Sequence, residues 1–250
     1  MTNIILSGAN GKMGQVISRL VLENENVTIV AGKDINTEKK SGYPVFDNWN
    51  DVPKADVIID FSHPDGLDAL LAYVKKTNTP AVVATTGLSE LQLNALREAS
   101  KKTAIFFSAN MSLGVNLLID LVAKATKVLE KNFDIEIIEK HHNQKIDAPS
   151  GTAIAIANAI AETLEKPCEF VYDRHSVRKK RSKTEIGLSS VRGGTIVGDH
   201  EVIFAGNDEV IEITHHAASK EVFAVGSIRA AEFLAGKPAG FYNMTDLVNN

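Results

Sequence analysis

Residues 8–14 read Gly8-Ala9-Asn10-Gly11-Lys12-Met13-Gly14. They lie between a short apolar run, Asn3–Ser7, and a segment, Gly11–Glu23, whose apolar residues have helical spacing. Glycines at such a junction permit a tight bend, a close approach of a pyrophosphate to the backbone, and packing of the helix on the sheet. The spacing is looser than the usual G-x-G-x-x-G. Its position between a strand and a helix nevertheless predicts a dinucleotide-binding turn.

Strand-like and helical segments alternate through the first half of the chain. Further strands are predicted at 27–31, 56–61, 80–85 and 104–107, and helices at 11–23, 64–76 and 89–101. Repeated strand–helix units favour a parallel sheet with right-handed crossovers and helices on both faces. The first half is therefore predicted to be a Rossmann-like, doubly wound α/β sheet.

The pattern changes after residue 110. Helices are predicted at 113–129, 151–164 and 221–234, and strands at 134–139, 184–191, 200–205 and 210–215. We therefore expect a second, α+β domain containing an open mixed sheet. The predicted boundaries give a first domain of residues 1–110, completed by 220–250, and a second domain of residues 111–219.

Several polar positions lie where a dinucleotide would bind. Asp34 ends the second predicted strand, and a carboxylate there accepts hydrogen bonds from an adenosine ribose. Lys33, Lys39 and Lys40 surround it and suit the 2′-phosphate of NADP, so the choice between NADH and NADPH stays open. Loops after the fourth and fifth strands offer hydroxyls and amides for the nicotinamide half, at Thr85, Thr86, Ser108, Ala109, Asn110 and Met111.

A second cluster of chemically active residues lies in the segment Glu139–Thr152, Glu-Lys-His-His-Asn-Gln-Lys-Ile-Asp-Ala-Pro-Ser-Gly-Thr. It holds two imidazoles, an amine and a carboxylate, and a helix is predicted to begin directly after it. Free backbone N–H groups at a helix N-terminus attract anions. The segment therefore predicts a site that binds a substrate through its carboxylate group and donates a proton to that substrate. No metal site is predicted, because the histidines and Asp147 lack a recognised zinc spacing and a fourth ligand.

Composition narrows the class of protein. The net charge of -4 provides no global attraction for nucleic acid, and no apolar run reaches the length of a membrane span. The single cysteine, Cys168, excludes an internal disulfide, and no signal peptide is recognisable, so we expect a cytoplasmic protein. The basic stretch Arg174–Lys183 is interpreted as a solvated loop, with a polyanion patch as the alternative, and the pair His215-His216 as strand-end structure.

These motifs together resemble the dihydrodipicolinate reductase family. The family block E-x-H-H-x-x-K-x-D-x-P-S-G-T is matched in full from Glu139 to Thr152. Further matches are the glycine turn and five segments, Asp60-Phe61-Ser62, Ala84–Gly87, Asn110–Asn116, Ser190–Gly194 and Ile196–His200, with Ala84 in place of a glycine. Ile35 stands where some members have an arginine suited to a 2′-phosphate.

The resemblance implies an NADH- or NADPH-dependent reductase that acts on a cyclic imine with two carboxylates, in diaminopimelate and lysine biosynthesis. It implies His141 and Lys145 as catalytic residues, and a homotetramer that assembles through the second domain. Contacts to the substrate are implied for His142, Ser150, Gly151 and Thr152. Contacts to the cofactor are implied for Gly8, Ala9, Asn10, Gly11, Lys12, Met13 and Asp34, and for Ala84, Thr85, Thr86, Ser108, Ala109, Asn110 and Met111.

Two other functions fit parts of the sequence. One is another dehydrogenase with an α+β second domain, such as one acting on an amino-acid semialdehyde, which would lack the His-His-x-x-Lys cluster. The other is a non-catalytic module that senses NAD and regulates a partner, which would not need proton donors. Consumption of NAD(P)H with and without the imine discriminates between them.

Overall fold

A computed structural model describes residues 1–250 and divides the chain into two compact units. The first unit contains Met1–Leu113 and Glu221–Asn250, and the second contains Gly114–Lys220. No helix is long and apolar enough to cross a membrane.

The first unit is built on a seven-stranded parallel sheet. Its strands are β1 (Thr2–Ser7), β2 (Val27–Lys33), β3 (Val45–Phe46), β4 (Val57–Asp60), β5 (Ala81–Val83), β6 (Ala104–Phe107) and β12 (Gly240–Tyr242). The strand order is β12-β6-β5-β4-β1-β2-β3. The chain therefore reverses its direction of winding beside β1, and ligands of open α/β sheets bind at such a switch point.

Helices cover both faces of this sheet. They are α1 (Lys12–Leu22), α2 (Leu67–Thr77), α3 (Glu90–Ser100), α6 (Glu221–Leu234) and α7 (Met244–Val248). Because side chains alternate along a strand, Ile4 and Leu6 of β1 join the core formed with α1 and α6. Ile5 points the other way, into the core formed with α2 and α3. The predicted doubly wound parallel sheet is confirmed.

The second unit has a five-stranded mixed sheet and two helices. They are α4 (Leu113–Leu129), which begins at the last residue of the first unit, β7 (Asp134–His141), α5 (Gly151–Thr163), β8 (Glu169–Val171), β9 (Glu185–Arg192), β10 (Gly198–Ala205) and β11 (Val210–Ala217). The strand order is β11-β10-β7-β9-β8. Strands β10 and β11 are antiparallel to their neighbours, whereas β7, β8 and β9 are parallel to one another. The predicted α+β unit with an open mixed sheet is confirmed.

The buried face of β7 changes character along its length. Residues 135, 137, 139 and 141 are buried and the residues between them are less so. The first two are Ile135 and Ile137, which pack in the core with α4 and α5. The last two are Glu139 and His141. Because Ile135 and Ile137 pack in the core, the same face of the strand is turned inward along its whole length. Glu139 and His141 are therefore two ionisable groups on the buried face.

Two details of the sequence prediction need correction, one of them at a single residue. The segment predicted as a helix from residue 64 begins with a 3₁₀ turn, Pro64–Gly66, and α2 starts only at Leu67. The basic stretch 174–183 is an exposed loop as predicted, except for Arg181, whose side chain is only 18% exposed and donates to Asp134 at 2.9 Å and to Glu136 at 3.0 Å. Arg174 likewise donates to Glu136 and to Glu185. Carboxylates on neighbouring strands, which local sequence does not bring together, hold these arginines.

Candidate active site

The glycine turn of the first unit is tightly packed, both against the chain that follows β4 and within its own backbone. Gly8 has a φ of +78°, and a Cβ at this position would lie 2.5 Å from the carbonyl oxygen of Phe61. A Cβ on Gly14 would collide with the carbonyl oxygen of Gly8 and lie 2.5 Å from that of Ala9. Only glycine therefore fits at either position without movement of the turn.

The N-terminus of α1 is open toward this turn. Its N-cap is Gly11, and no side chain caps the helix. By contrast, Ser89 caps α3 and Ser150 caps α5 with their hydroxyl groups. First-turn amides without a capping side chain suit the phosphate oxygens of a dinucleotide. Lys12 and Met13 are the first two residues of α1 and therefore belong to this uncapped first turn.

Asp34 ties the end of β2 to the glycine turn. Its Oδ2 accepts from the backbone N–H of Asn10 at 2.9 Å, and its Oδ1 accepts from the N–H of Asn36 at 3.1 Å. The side-chain amide of Asn10 in turn donates to the carbonyl oxygens of Asn36 and Glu38. The carboxylate therefore also holds the turn in shape.

A groove of about 1100 Å³ runs along this edge of the first unit. Gly8, Gly11 and Asp34 line it, as predicted dinucleotide contacts should. Trp49 also lines it, with its ring 4.8 Å from that of Tyr73 and 6.0 Å from the Lys33 ammonium. Sequence reasoning missed this aromatic wall, because Trp49 lies in a loop with no motif or periodicity.

The predicted cofactor contacts after β5 and β6 do not line the groove, and neither do Ala9, Asn10, Lys12 and Met13 of the turn and α1. Ala84, Thr85 and Met111 are buried, whereas Thr86 and Ala109 are exposed. The Thr85 hydroxyl donates to Asp60 at 2.6 Å, and burial raises the pKa of that carboxyl. The Ser108 hydroxyl donates to the carbonyl oxygen of Asn110. Their assignment to the cofactor stays a prediction.

In the second unit, Glu139 is the centre of a buried polar network. Its Oε2 lies 2.5 Å from His141 Nδ1, and its two oxygens accept from Arg192 at 2.8 and 2.7 Å. Its Oε1 also accepts from the Ser150 N–H at 3.1 Å. Burial alone would raise the pKa of Glu139, but hydrogen bonds from Arg192, Ser190 and His141 outweigh it and lower the pKa to about 2. The group is therefore a carboxylate throughout the physiological range.

His200 of β10 adds a second imidazole to this network. Its ring lies edge-to-face with that of His141 at 5.3 Å, and its Nε2 is 3.1 Å from the Ser150 hydroxyl. Burial, followed by the neighbouring His141, lowers the pKa of His200 to about 4. His200 is thus neutral at neutral pH, and it adds no positive charge to that of Arg192. Sequence reasoning assigned no role to His200 or Arg192, although both fall in matched segments.

The loop between β7 and α5 carries the remaining predicted residues. The Lys145 ammonium lies 2.8 Å from Asp147 Oδ1, and the Lys145 N–H donates to the carbonyl oxygen of His142. The Lys145 contact lowers the pKa of Asp147. His142 is half-buried, as is the Lys145 side chain.

The N-terminus of α5 follows immediately. The Ser150 hydroxyl accepts from the Ala153 N–H, as an N-cap does. The space around Gly151 is open, with no atom within 4 Å of a Cβ built there. Thr152 occupies the second position of the helix. A ligand can therefore approach the first turn of α5 at Gly151.

The first unit has a turn, an open helix terminus and a groove that suit a dinucleotide, and the second has an imidazole and an ammonium that can give protons. Together they define an NAD(P)H-dependent oxidoreductase.

Comparisons with known proteins identify the family. The model for the dihydrodipicolinate reductase N-terminus matches residues 2–111, and that for its C-terminus matches residues 114–248. The chain belongs to the dihydrodipicolinate reductase family.

Individual relatives agree with this assignment. The chain is 49% identical over 251 residues to the 4-hydroxy-tetrahydrodipicolinate reductase of Clostridium novyi, covering 100% of this chain and 99% of the relative. It is 52% identical over 249 residues to that of Caldanaerobacter subterraneus subsp. tengcongensis, covering 99% and 98%. Its fold is similar to that of the dipicolinate-bound dihydrodipicolinate reductase of Paenisporosarcina sp. TG-14, with a TM-score of 0.81, 24% identity and 97% of each chain covered.

Proposed function

We propose that the chain catalyses the NADH- or NADPH-dependent reduction of 4-hydroxy-tetrahydrodipicolinate to tetrahydrodipicolinate, in diaminopimelate and lysine biosynthesis. The observation that carries the proposal is that the hydrogen-bonded pair Glu139–His141 and the ion pair Lys145–Asp147 both lie in the segment that leads into the N-terminus of α5. Two curated relatives that match almost the whole chain are named for this activity.

Each unit takes one part of the reaction. Residues 1–110, completed by 220–250, bind the dinucleotide, and residues 111–219 bind the substrate and mediate assembly. The glycine cradle, which a Cβ would fill, and the uncapped α1 fit a pyrophosphate. The reduced nicotinamide supplies the hydride when it is bound. Ala84, Thr85, Thr86 and the segment Ser108–Met111 complete the cofactor site.

The second unit supplies binding and proton transfer. Loss of the 4-hydroxyl group as water gives a conjugated C=C–C=N system. Hydride adds to the alkene carbon that carried the hydroxyl group, and the electron-rich, nitrogen-conjugated centre that results needs a proton. His141 and Lys145 are the residues that donate or exchange it. His142 contacts the substrate, and Ser150, Gly151 and Thr152 place the first turn of α5 against a substrate carboxylate. Local groups must neutralise both carboxylates, because the chain as a whole is acidic.

A kinetic assay with both cofactors tests this function. NADH or NADPH is incubated with the protein, with and without the imine, and the loss of nicotinamide absorbance is followed. The proposal requires loss that depends on the imine. A sensor module would bind the cofactor without consuming it, and a semialdehyde dehydrogenase would instead respond to a semialdehyde.

Replacement of Asp34 tests the cofactor site. Asp34→Ala should move the ratio of kcat/KM values toward NADPH by about tenfold, because a carboxylate that accepts ribose hydrogen bonds is lost. Both affinities should also fall, since the Asn10 N–H loses its acceptor. The measurement is kcat/KM for each cofactor, with the exposed Asp51→Ala as the matched control. An unchanged ratio would show that Asp34 does not face the ribose.

Flat dicarboxylates test the anion site. Pyridine-2,6-dicarboxylate, the ligand named for the Paenisporosarcina enzyme, should compete with the imine, and pyridine-2-carboxylate should bind at least about tenfold more weakly. Thr152→Val should weaken the dicarboxylate and leave NADH affinity unchanged. Thr163→Val, at the other end of α5, is the matched control. Equal inhibition by the two compounds, or loss of NADH binding in Thr152→Val, would place the anion site elsewhere.

The protein is also proposed to be a cytoplasmic homotetramer. β11 is an edge strand of the mixed sheet, and Val210 and Ile211 on it are exposed. An exposed apolar edge strand favours pairing with another copy. The free thiol of Cys168 suits a reducing compartment.

A further inference from the structure

Glu139 has so far been given no part in substrate binding or proton transfer, yet its buried carboxylate makes several hydrogen bonds. Its carboxylate is 1% exposed and meets four groups: His141 on β7, Arg192 and Ser190 on β9, and Ser150 before α5. The register of the parallel pair β7–β9 places His141 opposite Arg192 and so brings the guanidinium to this face. Both oxygens of the carboxylate are fully used.

The contact with His141 fixes the chemistry of its ring. A carboxylate can only accept hydrogen bonds, so the nitrogen facing Glu139 Oε2 carries the hydrogen. In the neutral ring this is the Nδ1–H tautomer, and Nε2 has the free lone pair. Nε2 lies beside Gly198, where a Cβ would come to 3.0 Å from it. The absence of a side chain at Gly198 leaves room next to this nitrogen.

The contact with Ser150 couples the same carboxylate to the helix. The Ser150 N–H donates to Glu139 Oε1, and the Ser150 hydroxyl caps α5. Arg192 Nη2 donates to the same oxygen and to the carbonyl oxygen of Asp147 in the preceding loop. One side chain thus positions the imidazole, the loop and the first turn of α5.

We propose that Glu139 is the positioning residue of this site, fixing the Nδ1–H tautomer of His141 so that Nε2 exchanges the proton with the substrate, and holding the N-terminus of α5 where the substrate carboxylate binds. The claim that Nε2 acts in turnover rests on the proposed function. The tautomer itself does not.

The variant Glu139→Gln tests the tautomer of His141 directly. Its amide has one acceptor and one donor in place of two acceptors. The Ser150 N–H is a buried backbone donor that cannot lose its hydrogen, so the amide oxygen must face it. The NH₂ group then faces His141 Nδ1, which must become an acceptor. The hydrogen therefore moves to Nε2, and the ring has the wrong tautomer for the proposed exchange.

The experiment is ¹⁵N NMR of the histidine side chains in the ligand-free protein at alkaline pH. His141→Gln assigns the signal among the seven histidines. Native protein should show Nδ1–H and Glu139→Gln should show Nε2–H. Arg192→Gln is the matched control, since it removes a partner of Glu139 but keeps the carboxylate at His141, and its tautomer should stay native. A native tautomer in Glu139→Gln would overturn the proposal.

Turnover supplies the second readout. Glu139→Gln should lower kcat by at least about a hundredfold, with the Kd for NADH unchanged, because a ring in the wrong tautomer cannot serve the same proton transfer. Glu139→Asp, which keeps the charge, should recover part of the rate, and it also serves if Glu139→Gln does not fold. A switched tautomer with native kcat would overturn the role of Nε2. Wild-type protein inactive on the imine would refute the proposed function, while the NMR result would still decide the tautomer.

Discussion

Lys145→Ala should lower kcat by about a hundred- to ten-thousand-fold while the Kd for NADH stays at its native value. The reason is that Lys145 belongs to the second unit, in the loop between β7 and α5, whereas the dinucleotide groove is lined by residues of the first unit. Its ammonium is held by Asp147 at 2.8 Å, so a proton donor is kept in one place. Removal of such a donor affects the chemical step more than cofactor binding.

The matched control is Lys140→Ala. Lys140 lies on β7 and pairs with Glu201 at 3.6 Å, so the variant removes the same charge from the same unit. Its kcat should remain near the native value. For each variant, single-turnover kinetics gives the rate of the chemical step, and titration with NADH gives the Kd for the cofactor. Turnover of Lys145→Ala at the native rate would remove this residue from the mechanism.

Gly14→Ala should weaken NADH binding by roughly five- to a hundredfold and lower the free energy of unfolding. The added Cβ meets the carbonyl oxygens of Gly8 and Ala9, both in the backbone of the turn, so α1 or the turn must move. Overpacking of this kind typically costs about 1–3 kcal/mol. The movement also displaces the N-terminus of α1, where the pyrophosphate is proposed to bind.

Two other glycines calibrate this result. Gly42→Ala adds the same methyl group in open space, and its Kd and thermal midpoint should match the native protein. Gly11→Ala meets only the Gly8 carbonyl oxygen, at 3.2 Å, and should lie between the two. Calorimetric titration with NADH and thermal unfolding give both quantities. A folded Gly14→Ala protein with native NADH affinity would show that the dinucleotide does not use this turn.

Local periodicity was sufficient to predict the two sheets, because each long element has a buried stripe of regular spacing. It failed for β3, β8 and β12, which have only two or three residues. Segments so short show no period, and their hydrogen-bonded neighbours in the sheet stabilise them. The pairing of Arg174 and Arg181 with sheet carboxylates was missed for a related reason, since those partners meet only across strands.

The candidate site was predictable where its residues are close in sequence. His141, Lys145 and Ser150 lie within one segment of the chain, and their chemistry could be inferred from spacing and from the resemblance. Arg192 is 53 positions from Glu139, so only the register of β7 and β9 brings them together. One signal was available: alternation along a strand puts Glu139 and His141 on the same face.

The most direct test of the account uses NADH that carries only deuterium at nicotinamide C4. The protein is incubated with this cofactor and freshly prepared imine, and the product is analysed by mass spectrometry. Hydride transfer to the imine predicts tetrahydrodipicolinate that contains one deuterium for each NADH oxidised. Oxidation of NADH without deuterium in this product, or no oxidation when the imine is present, would contradict the central claim that this chain is an imine reductase.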